Sequence, residues 1–435
     1  MPMRVGAPPA GEALVLRNFT LIDGGDHAVL SPAAMVIEGG RVTWVGPQSR
    51  LEAPDGALVT DLNGAFVIPG LIDMHAHVGN TVDLVQDRKF HTRESIEKDL
   101  NTYASYGVTT IVSMGTDQDA IFPVRNELRS GKPAMAHVYT AGQGLMFEGG
   151  YGGLAGVNDA VATPEEATAY VNAQLDKGAD FIKLWLDSEL GTMPKMPPAI
   201  SQAIIDAAHK RGARVLAHVF YLEDAKRLVD QGIDGFVHMV RDQPIDQALI
   251  DGMEKHGTWQ VASTLSREAS MFAYGSTPEF ASDPFFTRGV SAKTLELIKS
   301  PERQKAQAGN PNFKKFPAFF ETAKANLKRL ADAGIPFAAG TDAGPPGRFP
   351  GYSQHWELQL MVEAGLTPAQ AIDAETRRAA MFIGAEDLGT LEPTKWADFV
   401  VLDANPLTDI RNTRKIRAVY IAGTEVQSIN QAGGS

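Results

Sequence analysis

Between residues 71 and 342 the chain repeats one pattern, a short and almost unbroken apolar run followed by a stretch with helical spacing. The runs fall at 71–77, 109–114, 136–142, 181–186, 214–219, 235–240, 258–264 and 336–342. An apolar run that does not alternate fits a strand covered on both faces, as in a parallel sheet. The intervening segments carry helix signals. "PPAISQAIIDAAHKRGA" sets Ile200, Ile204, Ile205 and Ala208 at helical spacing, and "EDAKRLVDQG" stops at Gly232. Eight strands alternating with helices predict an α/β fold of the (β/α)8 barrel type over 67–385.

The two ends follow another rule. Residues 11–62 are short Val-, Ile- and Thr-bearing pieces with Gly-Asp and Gly-Gly turns, which predict antiparallel β structure. "WADFVVLDANPL" and "IRAVYIAGTEV" return to that style, so residues 1–66 and 386–435 are expected to form one small β-sandwich domain. Residues 265–320 make one connection far longer than the rest and rich in phenylalanine. Long connections serve as lids or binding segments, or else add helices packed by their aromatics; both readings suit this one.

Composition removes several functions. The net charge of −12 lacks the basic surface that nucleic acid requires. With no cysteine, a transition metal must be held by histidine and carboxylate. No run is long enough to span a membrane, and the start "MPMRVGAPPAGEA" has no apolar signal core, which leaves the compartment open.

Chemistry-bearing residues gather at one kind of address. His75 and His77 are two apart on the first strand and so share a face. His218 ends the fifth run, His238 stands near the end of the sixth, and Asp342 ends the eighth in "GTDAG". Carboxyl ends of barrel strands converge on one mouth, where active sites are built. Lys183 sits in "FIKLWL" at the same level. A buried amine either pairs with a carboxylate such as Asp342 or is held neutral by desolvation, and a neutral amine can add carbon dioxide to become a carbamate. Tyr151, Tyr221, Arg241 and His355 are candidates for substrate contact, with Arg241 placed to fork onto a carboxylate or else to pair with Asp242 or Glu223. His137 reads as core, and His27, His91, His209 and His256 as surface. The phenylalanine-rich connection, with Met146 and Phe147, suggests a wide apolar pocket.

These residues resemble the amidohydrolase superfamily. "VIPGLIDMHAHVG" is similar to its first-strand signature, His218, His238 and "GTDAG" follow in its order, and "WADFVVLDANPLTDI" resembles its return segment. "GADFIKLW" is similar to the lysine strand of imidazolonepropionase-like Xaa-Pro dipeptidases and related amidases. The likeness covers nearly the whole chain and is weakest over 265–320. It implies two divalent metal ions, zinc by expectation, with His75, His77 and Asp342 on one, His218 and His238 on the other, and a carboxylated Lys183 between them. It implies amide hydrolysis of a peptide or N-acyl amino acid with hydrophobic or aromatic groups, by a shared water whose pKa falls from about 15.7 toward about 7. Asp342 would act as general base and then acid, or only as a ligand. A lactonase or carbamate hydrolase could use the same centre, and a barrel without chemistry would be a binding protein. Deaminases of this fold lack the strand-four lysine. Two departures concern substrate recognition: "AGQGLMFEGGYGG" carries Tyr151 near the position where relatives have a histidine, and "FYLEDA" places Tyr221 at the mouth. A small-molecule or dipeptide-like substrate and a homo-oligomer are expected.

Overall fold

Seven of the eight apolar runs pair as parallel strands in the computed structural model, which describes residues 13–24 and 29–427. His27 lies outside the described residues. Leu71–Ala76 pairs with Val108–Ser113, which pairs with His137–Thr140. Phe181–Leu186 pairs with Arg214–Val219, followed by Gly235–Phe236 and Trp259–Gln260. Leu145 bridges to Leu184 and joins the two groups. The eighth run forms isolated bridges, Phe337 to Gln260 and Ala343 to Ala76, and these complete the circuit.

The late strands are shorter than the apolar runs suggest, for a local reason. The Gln260 side-chain amide donates to the carbonyls of Phe236, His238 and Ala262 at 3.3, 3.0 and 2.7 Å, serving acceptors that a longer ladder would satisfy. On the other side, the Asp73 carboxylate accepts from the backbone N–H groups of His75 and Thr341 and from Thr341 Oγ1. That clamp fixes the eighth segment against the first at the level of the histidines.

Helices return the chain between strands, and their ends follow from sequence. Thr163 caps Pro164–Asp176 by accepting from Glu166 N, with proline in the first turn. Gln247–His256 ends at Gly257, whose φ of 69° suits a left-handed stop. Ile200, Ile204, Ile205 and Ala208 of Pro198–Lys210 are all buried.

Both chain ends join one seven-stranded sheet. Its order is Thr424–Glu425, Ile416–Ile421, Phe399–Leu402, Leu58–Pro69, Leu14–Leu21, Leu30–Glu38 and Arg41–Pro47. Leu14–Leu21 runs parallel to Leu58–Pro69, so this part is mixed rather than purely antiparallel. Strand alternation divides its side chains between two cores. Val67, Phe399 and Val401 face the small domain's own core, while Ile68, Val400 and Leu402 join the main one. The whole is a mixed α/β fold consistent with a barrel carrying a β-sandwich domain.

The connection 265–320 is largely helical, with Leu265–Ala273, Ala292–Lys299 and Pro301–Ala308 as its main pieces. Tyr274, Phe280 and Phe286 pack with Tyr106 and Tyr352 in a separate aromatic cluster. Among the described residues, no helix is long and apolar enough to cross a membrane.

Candidate metal centre

The first strand delivers His75 and His77 to one side, and both rings reach Asp342. Their Nε2 atoms lie 3.6 and 3.0 Å from Asp342 Oδ1. The His238 ring stands 4.8 Å from that of His75 and 4.3 Å from that of His218, centre to centre. Ligand atoms of His75, His238 and Asp342 all lie within 4.8 Å of one another. All five side chains are buried.

Asp342 takes a φ of 55° in this turn. The following Gly344 has a φ of 116°, and a Cβ there would stand 2.0 Å from the His77 carbonyl oxygen. Only glycine permits the close return of the eighth segment onto the first.

The ring nitrogens facing away from the centre are spoken for. His75 Nδ1 donates to the Val237 carbonyl at 2.9 Å, which leaves Nε2 as a lone-pair donor. His77 Nδ1 meets Thr116 Oγ1 at 2.7 Å, and His238 Nδ1 meets Thr264 Oγ1 at 3.0 Å. His218 Nε2 donates to Asp187 Oδ2 at 2.9 Å, which leaves its Nδ1. Such partners fix ring orientation, as metal-binding imidazoles require. Burial lowers the pKa of His218 to about 4 despite the pull of Asp187. Burial and neighbouring cationic groups hold His75 and His238 well below the usual histidine range. The His75, His218 and His238 rings are therefore neutral at pH 7, the form that binds a metal. Burial would raise Asp342, but the Arg348 guanidinium opposes it most strongly and the carboxyl is held well below the usual range.

Lys183 enters this space from Phe181–Leu186. Its Nζ has no hydrogen-bond partner among the described residues and lies 5.4 Å from the Trp185 ring centre. The carboxylate expected as its partner, Asp342, is engaged by His77 and Arg348 instead. Burial lowers the Lys183 pKa to about 7, against a small opposing pull from Asp342. An orphaned amine, neutral imidazoles and an ionised carboxylate are donors that fit divalent cations.

A cavity of about 310 Å³ opens over these groups and is also lined by Gln86, Thr116, Tyr151, Trp185, Met193 and Arg348. The Tyr151 ring is 5.0 Å from that of His218. None of the phenylalanines of 265–320 lines this cavity, so it is mixed in character rather than widely apolar.

The other candidate substrate residues have different places. Tyr221 Oη accepts from Ser188 Oγ at 2.9 Å and stands outside the cavity lining. Arg241 is buried; it donates to the carbonyls of Val219 and Met239 and pairs with Glu268 at 3.1 Å, not with Asp242 or Glu223. His355 stands outside the cavity lining. Its two nitrogens meet Thr413 Oγ1 at 3.0 Å and the Tyr106 carbonyl at 2.7 Å, so it joins the helix Tyr352–Glu363 to neighbouring elements away from the cavity. His91, expected at the surface, is buried against Asp117 at 3.3 Å. His137 is in the core and binds Asp398 at 2.8 Å.

Asp73, Asp187, Arg267 and Arg348 escaped the sequence reading. Asp187 had a visible signal: it directly follows an apolar run, at the same address as the histidines. Arg348 had none, because its approach to Asp342 depends on the turn after "GTDAG".

Residues 66–426 match the sequence pattern described as Amidohydrolase family. The imidazolonepropionase of Deinococcus radiodurans is 25% identical over 420 residues, covering 92% of this chain and 94% of its own. The crystal structure of a Xaa-Pro dipeptidase with methionine bound in its active site superposes with a TM-score of 0.75 at 23% identity, covering 95% of this chain and 99% of that one. Molinate hydrolase gives a TM-score of 0.74 at 21% identity, with 98% and 97% covered.

Proposed function

The chain belongs to the amidohydrolase family, a metal-dependent hydrolase by that membership, and we propose that it cleaves the amide bond of a peptide or N-acyl amino acid at a two-metal centre. The observation that carries this reading is Lys183, a buried amine without a partner, close enough to His75, His218, His238 and Asp342 to act on them electrostatically. A structural lysine would have been given a carboxylate; this one is kept near neutrality, as carboxylation by carbon dioxide requires.

In this reading His75, His77 and Asp342 would hold one divalent ion, zinc by expectation, His218 and His238 would hold the other, and a carboxylated Lys183 would supply a further ligand. When bound, such a pair supplies Lewis acidity and a nucleophilic water at neutral pH. The chain's own groups do the rest. Asp342 is ionised, accepts the proton of the attacking water at a carboxylate oxygen, and passes it to the departing amine. Arg348 and Arg267 flank that carboxylate and determine how readily it holds a proton. Asp187 keeps His218 turned with Nδ1 inward. Trp185 and Tyr151 cover the centre and limit water. Residues 67–385 form the catalytic barrel in this division of the chain, with the described residues of 13–66 and 386–427 in the smaller domain and the remainder of 1–66 and 386–435 outside the described residues.

The family also fits the dipeptidase and molinate hydrolase likenesses, both named for hydrolysis. The test is metal analysis with a substrate screen. Metal-replete protein should hold about two ions per chain, given six ligand positions. It should also hydrolyse members of a panel of dipeptides and N-acyl amino acids. A stoichiometry that stays at one in excess zinc refutes the two-metal centre, and cleavage of lactones alone refutes the amide assignment.

A further inference from the structure

A second, smaller chamber of about 100 Å³ adjoins the metal-centre cavity without sharing a lining residue. Two contacts join them. Asp187, in the chamber wall, binds His218, and Arg267, also in that wall, has Nε 3.7 Å from Asp342 Oδ2. The wall combines apolar groups, Leu190, Phe220, Met271, Phe316 and Phe319, with charged ones.

The charges do not balance. Three carboxylates, of Asp187, Glu189 and Glu268, face two guanidiniums, of Arg241 and Arg267. Glu268 is shared by both arginines at 3.1 and 2.9 Å. Arg241 spends further donors on two backbone carbonyls, and Asp187 is occupied by His218. Glu189 is left over. Its carboxylate has no ion pair within 4.0 Å among the described residues, and Arg267 and Arg241 act on it only from beyond that distance, although it is half-buried and lines the chamber.

The loop holds Glu189 there against its own preference. Glu189 and Leu190 have φ of 46° and 58°, a left-handed pair without glycine. The turn is kept by Glu189 N donating to Asp187 Oδ1 at 2.9 Å and by Gly191 N donating to Ser188 Oγ at 3.1 Å. Tyr221 steadies Ser188 in turn. A strained turn that sets one carboxylate without an ion pair in a chamber wall is an arrangement suited to a ligand contact.

We infer that this chamber receives the amine-bearing end of the substrate, with a protonated amino group on Glu189 and a small adjoining side chain against Phe220 and Phe316. This rests on the amide-hydrolase reading and narrows it to a dipeptide or aminoacyl amide with a free amino terminus, rather than an N-acyl amino acid. An ammonium group beside a cation-binding centre needs a local counter-charge, and Glu189 is the one carboxylate of the wall not already used. The arginines, tied to Glu268, are poorly placed to attract a substrate carboxylate here.

Two measurements test this together. Binding of L-alaninol, a small cation without a carbonyl, is compared with that of neutral 1,2-propanediol on metal-replete wild type, Glu189→Gln and Glu189→Asp. Turnover of alanyl dipeptides is compared with that of their N-acetyl forms on the same proteins. Wild type should favour the cation and the free dipeptide by about 10- to 100-fold, the value of a charge-assisted contact. Glu189→Gln should collapse both preferences and Glu189→Asp should retain part of them. Equal binding of the two small ligands, or a preference that survives Glu189→Gln, overturns the chamber assignment. Glu189-dependent binding of alaninol without hydrolysis of any amide supports the chamber and counts against the hydrolase reading alone.

Discussion

Lys183 should make the metal-free protein less stable, and by an amount the structure sets. The amine is fully buried without a partner, and its pKa falls from 10.5 to about 7. In the unfolded chain it keeps the ordinary value and is charged at neutral pH. Because the folded pKa is the lower one, the unfolded state binds more protons between the two values, and stability rises with pH across that window. At 1.36 kcal/mol per unit, the penalty is about 5 kcal/mol well below pH 7, about 4 kcal/mol at pH 7, and near zero above pH 10.5. Lys183→Met keeps the length of the side chain and removes the charge. In metal-free, carbon dioxide-depleted protein it should therefore stabilise the fold. For a chain of 435 residues, about 4 kcal/mol corresponds to a rise of roughly 5 °C in the midpoint. The assay is thermal or urea unfolding of both proteins in chelator from pH 7 to pH 10. The stability difference should shrink as pH rises, and the variant should be inactive once metal is restored. A variant less stable than wild type at pH 7, or a difference that does not change with pH, would show that Lys183 is a structural residue with a partner, and the reasoning would fail.

Other outcomes follow from the same contacts. Carboxylation needs the neutral amine and carbon dioxide, so reconstitution of metal-free protein with zinc at a fixed concentration of dissolved carbon dioxide should be slow at pH 6 and faster at pH 8, as the neutral fraction of Lys183 rises from about a tenth to about nine tenths; a rate independent of carbon dioxide is the contrary result. Lys183→Ala should lose most activity and regain part of it with small carboxylic acids. Asp187→Asn removes the carboxylate that orients His218, and metal affinity in a chelator competition should fall about 10- to 100-fold. Arg348→Gln frees Asp342 from the cation that depresses it, so the acid limb of the kcat/KM profile should move to higher pH. His355→Ala breaks two buried hydrogen bonds and should lower stability by about 2–3 kcal/mol, while activity per folded molecule stays close to wild type.

What the sequence made legible was whatever period and address encode. The parallel strands appear because an apolar run covered on both faces cannot alternate, and Phe181–Leu186 is buried throughout. Histidine positions are readable because the carboxyl end of a strand fixes a level, and that rule brings His75, His77, His218 and His238 together without knowledge of any distance. Two kinds of information lie outside it. One is the shortening of late strands, because Gln260 replaces part of a ladder with a side-chain amide, and no spacing announces that. The other is charge assignment. Arg241 stands at the expected level, yet its charge is answered by Glu268, a residue delivered by the long connection. His355 resembles a site residue by its neighbourhood in sequence, but a helix turns it toward Thr413 and Tyr106. Lys183 shows why the distinction matters. Its burial could be read from five apolar neighbours, but whether Asp342 answered its charge could not. With His77 and Arg348 holding that carboxylate, the lysine is left uncompensated. A buried amine in that position has a cost that folding alone does not offset, and the role proposed for it in the centre would be a physical reason for keeping it.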